Sequence, residues 1–240
     1  QIEGGAGSAG TYFHDVTFSG NSTYRFPYYG ANDVTVSGNL TMSGTPDIKQ
    51  WRRNLIVDGN VTIGDGCVYD CEGSGVAGVS SDLTAGSLTI NGGGEFKASS
   101  GTTTITSRTG GSGTYALENN GTFTHNKGTV AITDADNVVS MGLGSSLYNL
   151  TLSGGSKKIR NNTTINNNLT LTSGDLYGHS GSLTLDVLGQ TILNGGTTGQ
   201  SIAFTGTMNW GNVTVNSGTL KLSSGTNNAE SFRNVGGTIQ

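Results

Sequence analysis

The chain has 240 residues, of which 41 are Gly and only 2 are Pro, and 12% are charged, with a net charge of −4. This composition excludes a highly charged, Pro-rich disordered chain, and the 12 scattered Lys and Arg residues are too few to neutralise a nucleic-acid backbone. Because the apolar residues recur with period two, we predict an ordered all-β protein without a nucleic-acid partner.

Residues 1–30 differ in composition from the rest of the chain. They begin with the Gly/Ala/Ser-rich stretch QIEGGAGSAG and continue into an aromatic stretch that contains Tyr12, Tyr24, Tyr28 and Tyr29. We predict a flexible segment and an aromatic cap in residues 1–30, followed by the main domain in residues 31–240. The alternative hypothesis is that these tyrosines contact a glycan or a neighbouring subunit, because Tyr suits surfaces with one wet edge.

From residue 32 onwards one short motif recurs: an Asn or Gly turn, then aliphatic-Thr-aliphatic, then a Ser/Asn/Asp–Gly turn. It is found in NDVTVSGNLTMSG, RNLIVDGNVTIGDG, YNLTLSGG and NNLTLTSGD, among others. The aliphatic residues point inward and the threonines outward on such a strand, and Gly and Asn accept the backbone angles of tight corners. The near-absence of Pro agrees, since Pro would remove a donor from the strand ladder.

The spacing of the motif predicts how its copies are arranged. The intervals from Val34 to Leu55, from Val130 to Leu150 and from Leu150 to Leu169 are nearly equal. Such a period is typical of a solenoid, so we predict a parallel β-helix with rungs of about 20 residues. The same turns could also join hairpins, so an antiparallel β-sandwich is the alternative.

The segments NLTLSGG, GNLTM, GNVTI and GTLKLSSG resemble the Gly/Thr/Asn-rich β-helical repeats of secreted surface proteins, such as adhesin and autotransporter passenger stalks, and of some phage tail proteins. The resemblance extends over about residues 30–225 as a style of repeat. It implies an extracellular parallel β-helix with a structural or adhesive role, and it brings no catalytic residues.

Nine asparagines lie in the Asn-x-Ser/Thr pattern that N-glycosylation requires. Corner asparagines followed by outward threonines create this pattern automatically, but a glycosylated surface protein is the second interpretation. The nine are Asn21, Asn39, Asn60, Asn120, Asn149, Asn161, Asn162, Asn168 and Asn212.

Cys67 and Cys71 are the two cysteines, and their spacing suits either a local disulfide or two free thiols rather than a zinc site, which needs four ligands. Two acidic groups could act as paired carboxylates of a glycosidase or bind Ca²⁺, namely Asp134 with Asp136, and Asp65 with Asp70 and Glu72. Neither matches an EF-hand loop, the RTX nonapeptide is absent, and surface acids in turns are the ordinary case. We therefore predict no enzyme, no metal and no cofactor.

The two ends of the chain predict how copies could associate. The head carries Gln1, Ile2, Gly4 and Gly5 in a segment able to add a strand to a neighbour, and the tail SFRNVGGTIQ ends in strand-like residues. The tail positions selected are Val235, Thr238 and Ile239. Because uncapped solenoid ends can pair with one another, we predict head-to-tail self-assembly.

The location and the function follow as expectations. No apolar run approaches the ~18–20 residues of a membrane span, and a start at Gln1 without Met is expected of a processed secreted chain or a fragment. We therefore expect an extracellular or cell-surface structural subunit of a filament or surface appendage. The alternative is a glycan-binding adhesin or a phage tail β-helix protein.

Overall fold

The computed structural model describes residues 11–26, 33–50, 53–72, 81–106, 115–133, 137–142, 144–179, 182–195, 202–203, 206–220 and 225–240, and these contain β-strands and no helix. The strands are β1 (Thr11–Phe13), β2 (Val16–Phe18), β3 (Thr23–Arg25), β4 (Val34–Val36), β5 (Leu40–Met42), β6 (Asp47–Lys49), β7 (Leu55–Ile63), β8 (Val68–Asp70), β9 (Leu83–Ile90), β10 (Glu95–Lys97), β11 (Thr102–Ile105), β12 (Tyr115–Asn119), β13 (Thr122–Thr124), β14 (Thr129–Ile132), β15 (Asn137–Ser140), β16 (Ser146–Leu147), β17 (Asn149–Leu152), β18 (Lys157–Ile159), β19 (Thr163–Ile165), β20 (Leu169–Leu171), β21 (Leu176–Gly178), β22 (Thr184–Asn194), β23 (Ile202–Ala203), β24 (Thr207–Ser217), β25 (Thr219–Leu220), β26 (Thr226–Asn234) and β27 (Thr238–Ile239).

These strands form a parallel β-solenoid, as the spacing predicts, and every strand pairing among the described residues is parallel. The antiparallel sandwich is therefore wrong. The first face of the solenoid is one continuous ladder in the order β1, β4, β7, β9, β11, β14, β17, β20, β22, β24 and β26. A second face starts with β2 and β5, and a third with β3 and β6.

The repeat spacing read from the sequence is the register of the first face. Val34 pairs with Leu55, and Val130 pairs with Leu150, which pairs with Leu169. The rungs are not uniform, because the step from Leu55 to Leu83 spans 28 residues and the step from Val34 to Leu55 spans 21. The predicted period is thus the basic rung, and longer rungs carry insertions.

The alternation within each strand builds the core. In β4, Val34 and Val36 are buried and Thr35 is half-buried, and β5, β17 and β20 repeat this pattern. Each fully buried aliphatic side chain contributes about 1.5–3 kcal/mol relative to an exposed one. Since each inward residue of an internal rung lies between its counterparts on the rungs before and after, the core is a narrow column that runs along the solenoid.

The third face carries a stack of aromatic rings inside the core. The Tyr69 ring lies 5.7 Å from Phe96, and the Phe96 ring lies 5.5 Å from Phe123, centroid to centroid. The buried Tyr69 hydroxyl donates a 2.7 Å hydrogen bond to Oε1 of the buried Gln50. This bond satisfies a polar group that would otherwise be costly in the core.

Many glycines stand at corners where one rung lies directly on another. An added Cβ at Gly121 would collide with the carbonyl oxygen of Gly94, and one at Gly94 would lie 2.8 Å from the carbonyl oxygen of Gly64. Glycine is required there because the backbones approach too closely for a side chain. Stacking of the rungs therefore requires Gly at these corners.

The first described rung is β1 to β3, which pair in parallel with β4 to β6. Phe18 and Phe26 are buried there, and the Tyr24 ring packs 4.8 Å from that of Phe18. Residues 11–26 thus continue the solenoid ladder and bring aromatic rings to its first rung. The boundary after residue 30 stays a prediction, since residues 1–10 and 27–32 lie outside the described residues.

Candidate functional site

The C-terminal rung is the most exposed part of the described core. Strand β26 pairs with β24 on one side, and the residues that continue its core columns are half-buried (Asn227, Ala229) or exposed (Phe232, Asn234). Phe232 pairs in register with the fully buried Val213, yet it is 44% exposed. Val235 and Ile239 are 57% and 37% exposed, and Thr238 lies between them on β27.

Of the tail residues predicted from the sequence, the structure places Val235, Thr238 and Ile239 together on this last rung. It adds Phe232, which the sequence analysis did not select. The signal for Phe232 was present in the repeat, because Phe232 follows Val213 at the same interval at which Leu169 follows Leu150. We call the set Phe232, Val235 and Ile239 the C-terminal surface.

The predicted residues at the head are only partly placed. Gln1, Ile2, Gly4, Gly5, Tyr28 and Tyr29 lie outside the described residues. Tyr12 is 71% exposed and is in register with the outward Thr35, whereas Tyr24 is in register with the buried Ile48. Of the two described tyrosines, Tyr12 therefore points outward and Tyr24 points toward the core, so they form no common contact surface.

Most sequon asparagines serve as corner residues that tie one rung to the next. The Asp15 carboxylate accepts the backbone N–H of Asn39 (2.7 Å), and the Asn39 side-chain oxygen accepts that of Asn60 (2.9 Å). The Asn60 side-chain oxygen in turn accepts the hydroxyl of Ser87 (2.7 Å). This run of side-chain bonds links four successive rungs along one corner.

A second run of corner bonds uses later sequons. The Asn149 side-chain oxygen accepts the backbone N–H of Asn168 (3.3 Å), and that of Asn168 accepts the backbone N–H of Gln190 (3.0 Å). The side-chain oxygens of Asn162 and Asn212 also accept hydrogen bonds from the following rung, and Asn161 donates to Met141. Asn21 and Asn120 are exposed. Glycosylation of any of them stays a prediction.

Cys67 and Cys71 are both buried and both free, so of the two alternatives the structure has thiols rather than a disulfide. Burial raises the pKa of both thiols, that of Cys71 well above its ordinary value, and the carboxylates of Asp70, Glu72 and Asp82 add to that effect. A raised pKa keeps a thiol protonated and unreactive. These cysteines are therefore core side chains.

The acidic residues near them support turns. The Asp70 carboxylate accepts the backbone N–H of Glu72 (2.9 Å), and the Glu72 carboxylate accepts that of Ser100 (2.6 Å). Within the described ranges no cluster of three metal-ligating side chains is found. Asp134 and Asp136 lie outside the described residues. The carboxylates of Asp70 and Glu72 thus accept hydrogen bonds from backbone N–H groups of the turns.

The described residues include no helix that could span a membrane. No family model, curated protein or solved structure matches the chain. The chain is an all-β protein of the parallel β-solenoid class, and its functional assignment rests on the surfaces of that solenoid.

Proposed function

We propose that this chain is a structural subunit of an extracellular filament or surface appendage, in which the next copy stacks on the C-terminal surface. The proposal assigns no catalytic residue, cofactor or metal. One observation carries it: the core columns of Val213 and Leu220 reach the last rung at Phe232 and Ile239, and both lie exposed, as does the neighbouring Val235.

The backbone of the last rung supports the same proposal. A terminal strand of a parallel ladder presents N–H and C=O groups along its outer edge, and such edges pair with strands of other chains unless they are covered. On the last rung, residues Ser231–Asn234 of β26 pair with β24 along one edge of the strand. A second copy that continued this ladder would satisfy those backbone groups and bury Phe232.

The partner proposed for this surface is the first rung of another copy. That rung also carries apolar side chains at core positions, since Phe13 is in register with Val36 and Phe18 with Met42. Contact between two different ends of the same chain is heterologous, and it produces an open fibre when the rotation does not close. The resemblance of the repeats to those of adhesin and appendage proteins agrees with an extracellular role.

The test compares two Asp substitutions at exposed apolar residues by negative-stain electron microscopy across protein concentration. Val235→Asp places a charge on the C-terminal surface, whereas Leu188→Asp places one on a side wall, at a residue that is 65% exposed. We expect filaments from the parent chain and from Leu188→Asp, and discrete particles from Val235→Asp. Discrete particles from the parent chain at all concentrations would refute self-assembly.

A deletion of residues 1–10 separates the two modes of association. Filaments that persist after the deletion support stacking of rungs, and filaments that vanish support strand addition by the head segment. The alternative function, a glycan-binding adhesin or phage tail protein, is favoured by a separate surface in the middle of the solenoid.

A further inference from the structure

The outer side of the second face carries two adjacent cations in the middle of the solenoid. In β18, Lys157 and Ile159 point into the core, so Lys158 points outward and is exposed. Arg160 follows with the same orientation and is also exposed, and its backbone N–H donates to Val139. Residues of the same direction along a strand lie about 6.5–7 Å apart, so the two charges form one patch.

Aromatic rings flank these cations on the neighbouring rungs. Lys158 is in register with Tyr177 of β21, and the Arg160 guanidinium carbon lies 5.1 Å from the centroid of the Tyr115 ring. His179 is exposed next to Arg160, since its backbone N–H donates to Ile159. The ring of Tyr115 covers one face of the guanidinium and leaves the N–H edge free to bind a ligand.

The two cations lack the carboxylate partners that other lysines have. Lys49 lies 3.4 Å from Asp47 and Lys97 lies 3.7 Å from Glu95, whereas among the described residues neither Lys158 nor Arg160 has a carboxylate within ion-pair distance. Glu118 of β12 is in register with Ser140 of β15, so one strand lies between it and β18, and no ion pair joins it to Arg160. In a chain with net charge −4, this is a local excess of positive charge.

We propose that Tyr115, Lys158, Arg160 and Tyr177 bind a uronic-acid polysaccharide. The planar fork of Arg matches a carboxylate, and Lys adds a second positive charge. Tyr rings supply flat apolar area with a polar edge, which suits the C–H face of a sugar ring. From β12 to β21 the patch spans three strand spacings, about 14 Å, which fits an oligosaccharide better than one sugar.

Two features favour a glycan over a nucleic acid. Two cations neutralise only about two phosphates, which is too few for the salt-dependent affinity of a nucleic-acid binder. The charges also lie between tyrosines on separate rungs, so a ligand that follows the solenoid axis meets ring, charge and ring in turn.

The test measures binding of polygalacturonate by calorimetry, in the Val235→Asp background so that assembly does not alter the apparent affinity. Dextran sulfate, neutral dextran and a single-stranded oligonucleotide serve as competing probes. We expect polygalacturonate to bind more tightly than all three. Equal or tighter binding of dextran sulfate or the oligonucleotide would overturn the assignment to a uronic acid.

The variants separate a built site from a general charge effect. Lys158→Ala with Arg160→Ala should weaken binding at least about tenfold, because the variant loses both groups that can form charge-assisted hydrogen bonds with the uronate carboxylates. Lys49→Ala with Lys97→Ala changes the net charge equally and should leave the affinity within about twofold, since those lysines lie on the third face.

Tyr177→Leu keeps the charge and should weaken binding several-fold. The same unfolding midpoint in each variant shows that the fold is intact. Equal losses of affinity in the Lys158/Arg160 and Lys49/Lys97 double variants, or full affinity in Tyr177→Leu, would overturn the proposal.

Discussion

The stacking of the core predicts that the same kind of truncation costs much more in the middle of the solenoid than at its C-terminal end. Leu150 is fully buried between Val130 on the rung before and Leu169 on the rung after. Phe232 continues the same core column at the last rung and is 44% exposed. Both substitutions to Ala remove a large apolar side chain, but only one leaves a closed cavity.

The expected magnitudes follow from these burials. Leu150→Ala should lower the free energy of unfolding by about 2–5 kcal/mol, the usual range for a buried Leu that leaves a cavity. Phe232→Ala should lower it by only about 1–2 kcal/mol, because roughly half of the side chain is in water before the change and the site has no closed far wall.

The assay is urea unfolding followed by far-UV circular dichroism, at protein concentrations below assembly. With an m-value of about 3 kcal/mol/M, the loss at Leu150 shifts the midpoint by about 1 M and the loss at Phe232 by half of that or less. Equal shifts would refute an open last rung, because they would mean that Phe232 is covered as well as Leu150 is. At assembling concentrations the cost of Phe232→Ala should increase.

Three further predictions concern single positions in the rungs. Gly211→Ala should cost about 1–3 kcal/mol because its Cβ would collide with the backbone of the preceding rung, whereas Gly92→Ala, whose Cβ would have its nearest neighbour at 4.0 Å, should be neutral in the same urea assay. Thr191→Val should stabilise the fold by about 1–2 kcal/mol, since the buried Thr191 hydroxyl has no hydrogen-bond partner among the described residues. Thr214→Val should destabilise it because that hydroxyl accepts a 3.0 Å bond from a Gln side chain, and a gain in both Thr variants would contradict this account. Burial raises the pKa of the Cys71 thiol, so the unfolded chain releases this proton at about pH 8.5 while the folded chain retains it. Stability should therefore fall as pH rises above about 8.5, less steeply in Cys71→Ala, and identical pH profiles of the melting temperature between pH 7 and 10 would contradict this origin.

The corner asparagines show how much of the structure the local sequence can predict. The Gly-Asn and Asn-x-Thr segments predict corners because Asn and Gly tolerate tight turns. Asn39 lies between β4 and β5, and Asn60 lies at the register shift within β7. Their mutual hydrogen bond could not be predicted from a turn motif alone. It requires the alignment of two successive rungs, which depends on the whole length of chain between these asparagines.

The patch of Lys158 and Arg160 shows even more clearly what the local sequence cannot predict. The segment Lys157-Lys158-Ile159-Arg160 is visible as a small basic cluster, but the sequence does not show that Lys157 is buried while Lys158 is exposed. Tyr115 lies two rungs before Arg160, and only the stacking of β12, β15 and β18 brings that ring to the guanidinium. The glycan contact at the N-terminal tyrosines stays a prediction, whereas the glycan surface proposed for the middle of the solenoid depends on this stacking.

The sequence by itself determined the all-β class, the inward and outward sides of each strand and the length of the basic rung. These depend on period-two alternation and on a repeat that recurs along the chain, both of which are local properties. Only the tertiary structure decided between a solenoid and a sandwich, and between free thiols and a disulfide. It also showed that Phe232, in register with the buried Val213, is exposed on the last rung. The physical reason is that pairing partners in a parallel stack come from different rungs, so their contacts depend on the length of every turn between them.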